Sequence, residues 1–214
     1  EIITEANLWI AKDNFELREN TQALKLLEEV RTKSVEEDYD YIIKDSYIQE
    51  IKYRLREKDY PKAIALANEF ADAYDNDQTR AQIYFELGNL YTLIKENDNA
   101  ILAYEKVFNY SPDFDLEIIT TIKYADALRN GGQTQKALDV FEDIRTKDKY
   151  INSFNEIDFE IGKTLVALGE FDRAMDQFRI VDTTYKNTPF ASASNFEMGE
   201  LLRTKFMNYD SAGY

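Results

Sequence analysis

An alanine recurs at Ala23, Ala63, Ala100, Ala137 and Ala174, in steps of 40, 37, 37 and 37 residues, and each copy carries the same flanking pattern. A period of this size marks an array of stacked supersecondary units, each packing mainly on its neighbours. Four residues after the alanine stand Leu27, Tyr104, Phe141 and Phe178, with Ala67 the exception; seven after it stand Val30, Phe70, Val107, Ile144 and Val181. Spacings of 0, 4 and 7 define one face of a helix.

A second helix precedes each alanine. Twelve residues before it the position is small in four copies, Ala11, Gly88, Ala125 and Gly162, and Gly199 continues the series. The second copy has Ile51 there, which is expected to push its two helices apart or shift their contact. Pro61, Pro112 and Pro189 fall in turns or first turns, where a missing amide donor costs little. Gly131, Gly132 and Gly169 fall between the paired helices, with Asp59, Tyr60, Asn97 and Asp98 serving there in other copies. The expected hairpins run 2–33, 38–74, 77–109, 114–147, 151–185 and 189–214, the last lacking most of its second helix.

The third copy resembles the tetratricopeptide signature at Tyr84, Leu87, Gly88, Tyr91, Ala100, Tyr104, Val107 and Pro112. That resemblance implies an all-α fold, a right-handed α-α superhelix of about five and a half hairpins, and a role in holding another protein. The likeness weakens at Asn14, where an apolar residue is expected. Armadillo-type or HEAT units would need longer repeats of about 40–47 residues.

In the resembled family the first helix of each pair lines a concave groove. The resemblance then implies a partner-binding stripe at Leu8, Ile48, Phe85, Ile122, Phe159 and Phe196, all apolar or aromatic. The alternative for these six is core packing. Polar groove positions follow as Lys12, Lys52, Asn89, Asp126, Lys163 and Glu200, with Arg56, Arg129, Arg203 and Glu16 further along. The groove is thus less acidic than the chain, and the implied partner segment is apolar with some acidic residues. The carboxylate clamp of chaperone-linked members is not matched: Asn89 fits, but Phe85, Lys123 and Glu160 replace its other polar groups. Tyr185 to Ala191, followed by Phe196 to Gly199, resembles hairpin junctions of bacterial cell-envelope members (outer-membrane assembly lipoproteins and the Tol-Pal coordinator), which tilts the expected compartment toward the periplasm or envelope. The rival account of this motif is generic helix-end chemistry.

Chemistry finds little to work with. The 214 residues include no histidine and no cysteine, which removes the commonest general base, the thiolate nucleophile and most transition-metal sites. No cofactor, no metal and no catalytic residue are expected. Asp75, Asn76, Asp77, Thr79 and Glu86 imitate a calcium loop, but Arg80 stands where its glycine is required, and helix capping by Asp77 is the preferred account. With 41 acidic and 26 basic residues the net charge is -15, which disfavours nucleic acid and anionic membrane surfaces. Apolar runs such as residues 101–104 and 165–168 are far below the roughly 20 residues of a spanning helix.

The expected function is a non-enzymatic scaffold that binds a partner protein in the concave groove. Two alternatives stand beside it. One is self-association, a homodimer through an open C-terminal end bearing Phe196, Leu201, Leu202 and Phe206. The other is an accessory domain of an enzyme outside this sequence. The chain opens at Glu1 with neither methionine nor an apolar leader, which reads as an excised or processed form.

Overall fold

The computed structural model describes residues 1–73 and 76–205. Among them are eleven α-helices and no strand, arranged as an α-α superhelix. The helices are α1 (Ile2–Glu16), α2 (Asn20–Glu36), α3 (Asp40–Arg56), α4 (Tyr60–Ala73), α5 (Asp77–Leu93), α6 (Asn97–Val107), α7 (Phe114–Asn130), α8 (Thr134–Arg145), α9 (Phe154–Leu168), α10 (Phe171–Thr184) and α11 (Pro189–Thr204). Short 3₁₀ turns at Phe108–Tyr110 and Asp148–Ser153 precede α7 and α9. No helix among the described residues is long and apolar enough to cross a membrane.

The repeated alanine is where paired helices touch. Ala23, Ala63, Ala100, Ala137 and Ala174 are each fully buried, as are Leu27, Tyr104, Phe141 and Phe178 four residues on. The small position of the partner helix lies against that bulky side chain. A Cβ added at Gly162 would stand 2.5 Å from Phe178 Cε1, and one at Gly88 would overlap the Tyr104 ring. Burial of such side chains contributes about 2 kcal/mol each, so the pattern holds the first, third, fourth and fifth hairpins closed.

The turns obey the same register. Five residues before each alanine the backbone is left-handed: Arg18, Lys58, Lys95, Gly132 and Gly169 have φ between 58° and 81°. In each turn the following amide donates back to the carbonyl five residues earlier, as from Glu19 to Asn14 (2.8 Å) and Glu96 to Tyr91 (2.9 Å). This is a Schellman closure, which satisfies a terminal carbonyl and stops the helix. Asp38 (φ 62°) and the Tyr39 to Ser34 bond place the same turn between α2 and α3, so α2 runs on to Glu36.

Eight residues after each alanine the chain reaches the next hairpin. Arg31 pairs with Glu50 at 2.9 Å, Arg145 with Asp158 at 2.7 Å, and Asp182 accepts from Asn195 at 2.6 Å. Phe108 meets Tyr124 edge-on, and the Ala71 carbonyl accepts from Arg80. One register position thus contributes a contact to each of the five joints between hairpins.

The cap of α5 corrects the expectation for Asp77. Asn76 is the N-cap, its side chain accepting from the Thr79 amide at 2.9 Å, while Asp77 sits in the first turn. Asp75, the first position of the imitated calcium loop, lies outside the described residues, as do Tyr74 and Phe206.

Candidate partner-binding surface

The six apolar positions expected to line the groove separate by burial. Leu8, Phe85, Ile122 and Phe159 are buried at 8% exposure or less, Ile48 is half-buried, and Phe196 is 68% exposed. Phe85 packs tilted on Tyr104 with ring centroids 6.1 Å apart, and Phe159 packs on Phe178 and Phe190. Four of the six therefore sit inside the hairpins, with little surface left for a ligand. At the C-terminal end Leu201 is buried and Leu202 half-buried, so Phe196 is the large exposed group of that face.

The polar groove positions are mostly engaged. Lys12 pairs with Asp45 at 2.9 Å and lies over the Trp9 ring. Arg56 donates to the Phe15 carbonyl, and Arg203 pairs with Glu200. Asp126, Arg129 and Lys163 come together around Glu160. Arg129 bonds Asp126, reaches Glu160 at 2.8 Å and donates to Thr164 at 3.0 Å, while Lys163 meets the same Glu160 at 2.9 Å. Burial pushes both carboxyls upward. At Glu160 the cations Arg129 and Lys163 outweigh it and hold the group below its ordinary range; at Asp126 burial and the neighbouring Glu160 prevail and raise it. Glu160 is the hub, a residue the sequence reading weighed only as a mismatch to a clamp.

An open concavity with a mostly apolar lining lies between α3, α4 and α5, with a volume of about 740 Å³. Successive first helices touch along the array except α3 and α5, which scarcely meet. The cause lies in the second hairpin, where the pairing of small and bulky residues is inverted: Ile51 holds the small position and Ala67 the bulky one, and both line the cavity. Its floor is apolar, from Ile51, Leu55, Phe70, Ile83, Leu87 and Leu90. Ile48, Lys52 and Asn89 from the expected groove stand in its wall.

The two walls differ in charge. Lys44 and Lys52 on α3 have no ion-pair partner among the described residues. On α5, Gln82 and Asn89 both donate to Glu86, and Asn89 accepts from the Tyr104 hydroxyl at 2.9 Å. A basic wall thus faces an amide and carboxylate wall across an apolar floor. Sequence reasoning missed Lys44, Glu86 and Leu93 at this site; the inverted pair at Ile51 and Ala67 was its available signal.

Fold and surface together define an all-α helical-repeat protein. A family model described as tetratricopeptide repeat matches residues 81–114, the third hairpin where the signature is fullest. No curated protein sequence matches the chain. Among solved structures, the chain is similar to a signal transduction ATPase with numerous domains from Pyrococcus horikoshii, which carries a tetratricopeptide repeat sensor. That likeness has a TM-score of 0.69 at 14% identity, covering 98% of this chain and 35% of that one. The chain therefore spans about a third of that protein's length. It is also similar to YrrB, a tetratricopeptide protein with an unusual peptide-binding site (TM-score 0.55, 22% identity, 85% of this chain and 86% of that one). The apo form of RapI matches with a TM-score of 0.60 at 14% identity over 98% of this chain and 73% of that one. These likenesses establish the fold.

Proposed function

We propose that the chain is a non-enzymatic scaffold that holds an apolar segment of a partner protein, anchored in the cavity between α3 and α5. The observation that carries this reading is an open, apolar-floored volume of about 740 Å³, within the range of ligand-binding clefts. Lys44 and Lys52 on one wall, without an ion-pair partner among the described residues, favour acidic residues flanking the apolar anchor. Peptide binding by YrrB supports the reading by analogy of fold. The reading assigns no catalytic residue, in keeping with a chain without histidine or cysteine.

The envelope-like junction has a local explanation and supports no compartment. The Tyr185 hydroxyl donates to Asp158 at 2.5 Å, and Thr188 caps α11 with Pro189 in its first turn.

A displayed peptide library selected on the wild-type chain tests the proposal. Peptides carrying apolar anchors flanked by Asp or Glu are expected, and Lys52→Glu combined with Leu93→Glu should weaken them at least tenfold. Leu93 is 63% exposed, so circular dichroism should be unchanged. Equal retention by the double variant would place binding elsewhere.

A further inference from the structure

The cavity between α3 and α5 offers a bound segment three chemically different surfaces. Lys44, Ile48 and Lys52 follow one another at four-residue steps on α3, so they form one row along the helix, with a cation at each end and an apolar side chain between. The two cations stand about 12 Å apart along the axis. The facing row on α5 has the reverse order: Glu86 is in the middle and accepts from Gln82 at 3.1 Å and from Asn89 at 3.2 Å on either side. Counted from the small position of each helix, Lys44 is level with Gln82, Ile48 with Glu86 and Lys52 with Asn89, to within one residue. Lys44, Lys52 and Glu86 are exposed, and none has an ion-pair partner among the described residues.

Such a site selects the conformation of its occupant. An extended strand projects side chains in two opposite directions, so one that buries alternate residues in the floor points the others to solvent and meets neither charged row. A helix projects side chains all round its axis and reaches the floor and both walls at once. On a helix, acidic residues at i and i+7 share one flank and match the spacing of Lys44 and Lys52. A basic residue at i+5 falls on the opposite flank, toward Glu86, and apolar residues at i−1, i+3, i+6 and i+10 form the stripe between.

We propose, resting on the reading of this cavity as the anchor site, that the partner segment is an amphipathic α-helix lying between α3 and α5. Two acidic residues two turns apart face Lys44 and Lys52, and one basic residue between them faces Glu86. This fixes the conformation of the segment, the spacing of its charges and the flank on which each falls, none of which an apolar anchor with acidic neighbours specifies.

Three synthetic peptides labelled with fluorescein test it by anisotropy titration of the full chain. The first carries this pattern, held helical by a lactam bridge on its solvent face; the second has proline in its central turn and no bridge; the third is the first with glutamate in place of its basic residue. The bridged helix should bind, and the proline peptide at least tenfold more weakly. The all-acidic helix should bind about fivefold more weakly than the first, and Glu86→Lys, at an exposed site, should reverse that order. A bridged helix that fails to bind, equal binding of bridged and proline peptides, or an order that Glu86→Lys leaves unchanged overturns the helix. The anchor site survives any of these if library peptides still depend on Lys52 and Leu93. Bridged and library peptides that alike ignore Lys52→Glu with Leu93→Glu overturn the helix and the anchor site together.

Discussion

Gly88 lies directly beneath the ring of Tyr104, sixteen residues further along the chain, with no room for a Cβ between backbone and ring. Tyr104 is fully buried, and its hydroxyl is held by Asn89, so the ring cannot swing aside. Overpacking of this kind costs about 1–3 kcal/mol, against about 1 kcal/mol that alanine gains over glycine within a helix. Gly88→Ala should therefore lower stability in urea titration. Combining it with Tyr104→Leu should remove the clash and leave only the cost of the smaller core side chain. A stabilised Gly88→Ala chain would refute the close contact.

The left-handed turns give a cleaner measurement, because Gly132 and Gly169 have open space where a Cβ would project. Substituting either by alanine changes only backbone strain, and each should lose about 1 kcal/mol. Lys95→Gly, at the same register position with φ 64°, should gain a similar amount. Thermal midpoints moving the same way in all three variants would contradict the assignment.

The anchoring alanines, the small positions and the bulky partners were legible in the sequence, because a periodic helix face survives any detail of packing. The groove side chains were less so. Phe85 and Phe159 share a register position with Ile48 and Phe196, yet the first two are buried while Ile48 is half-covered and Phe196 stands in solvent. Exposure there depends on how the neighbouring hairpin sits, which one copy's spacing does not encode. Ile51 and Ala67 were each visible as exceptions. Their meaning as one inverted pair emerges only when both are placed on facing helices. The hub at Glu160 joins α7 to α9 through Arg129, and pairs of this kind follow no sequence period.

Around that hub, charge and stability are coupled. Arg129 and Glu160 have side chains only 11% and 10% exposed, and removing one member of a buried pair costs about 3 kcal/mol. Arg129→Met should approach that loss at neutral pH. The sign in acid follows from the shift at Glu160: its folded-state value is depressed, so its contribution is present above the unfolded value and fades as pH falls through the lower folded one. Asp126 acts oppositely, since its raised value opposes folding while it is ionised, and that penalty lifts on protonation. Glu160→Gln should bring Asp126 back down toward its ordinary range, because Glu160 is the second cause of its rise after burial. Carbon-detected NMR titration of Asp126 in both proteins checks this. An unmoved Asp126 would mean that burial alone sets its value.

The inverted pair links stability to binding. Ile51→Ala alone removes a half-buried side chain from the cavity wall, and Ala67→Phe alone forces a ring toward Ile51, so each should destabilise by about 1–3 kcal/mol. Together they restore the small and bulky order found at Gly88 with Tyr104 and at Gly162 with Phe178. The double variant should be more stable than the two single losses predict when added, by about 1–3 kcal/mol of coupling. Closing the second hairpin in this way fills the floor between α3 and α5, so peptides selected on the wild-type chain should be released even as stability recovers. Urea titration and peptide retention on the same four proteins measure both halves. Additive losses would mean that Ile51 and Ala67 do not share a contact, and retained peptides would mean that the cavity they line is not where the partner sits.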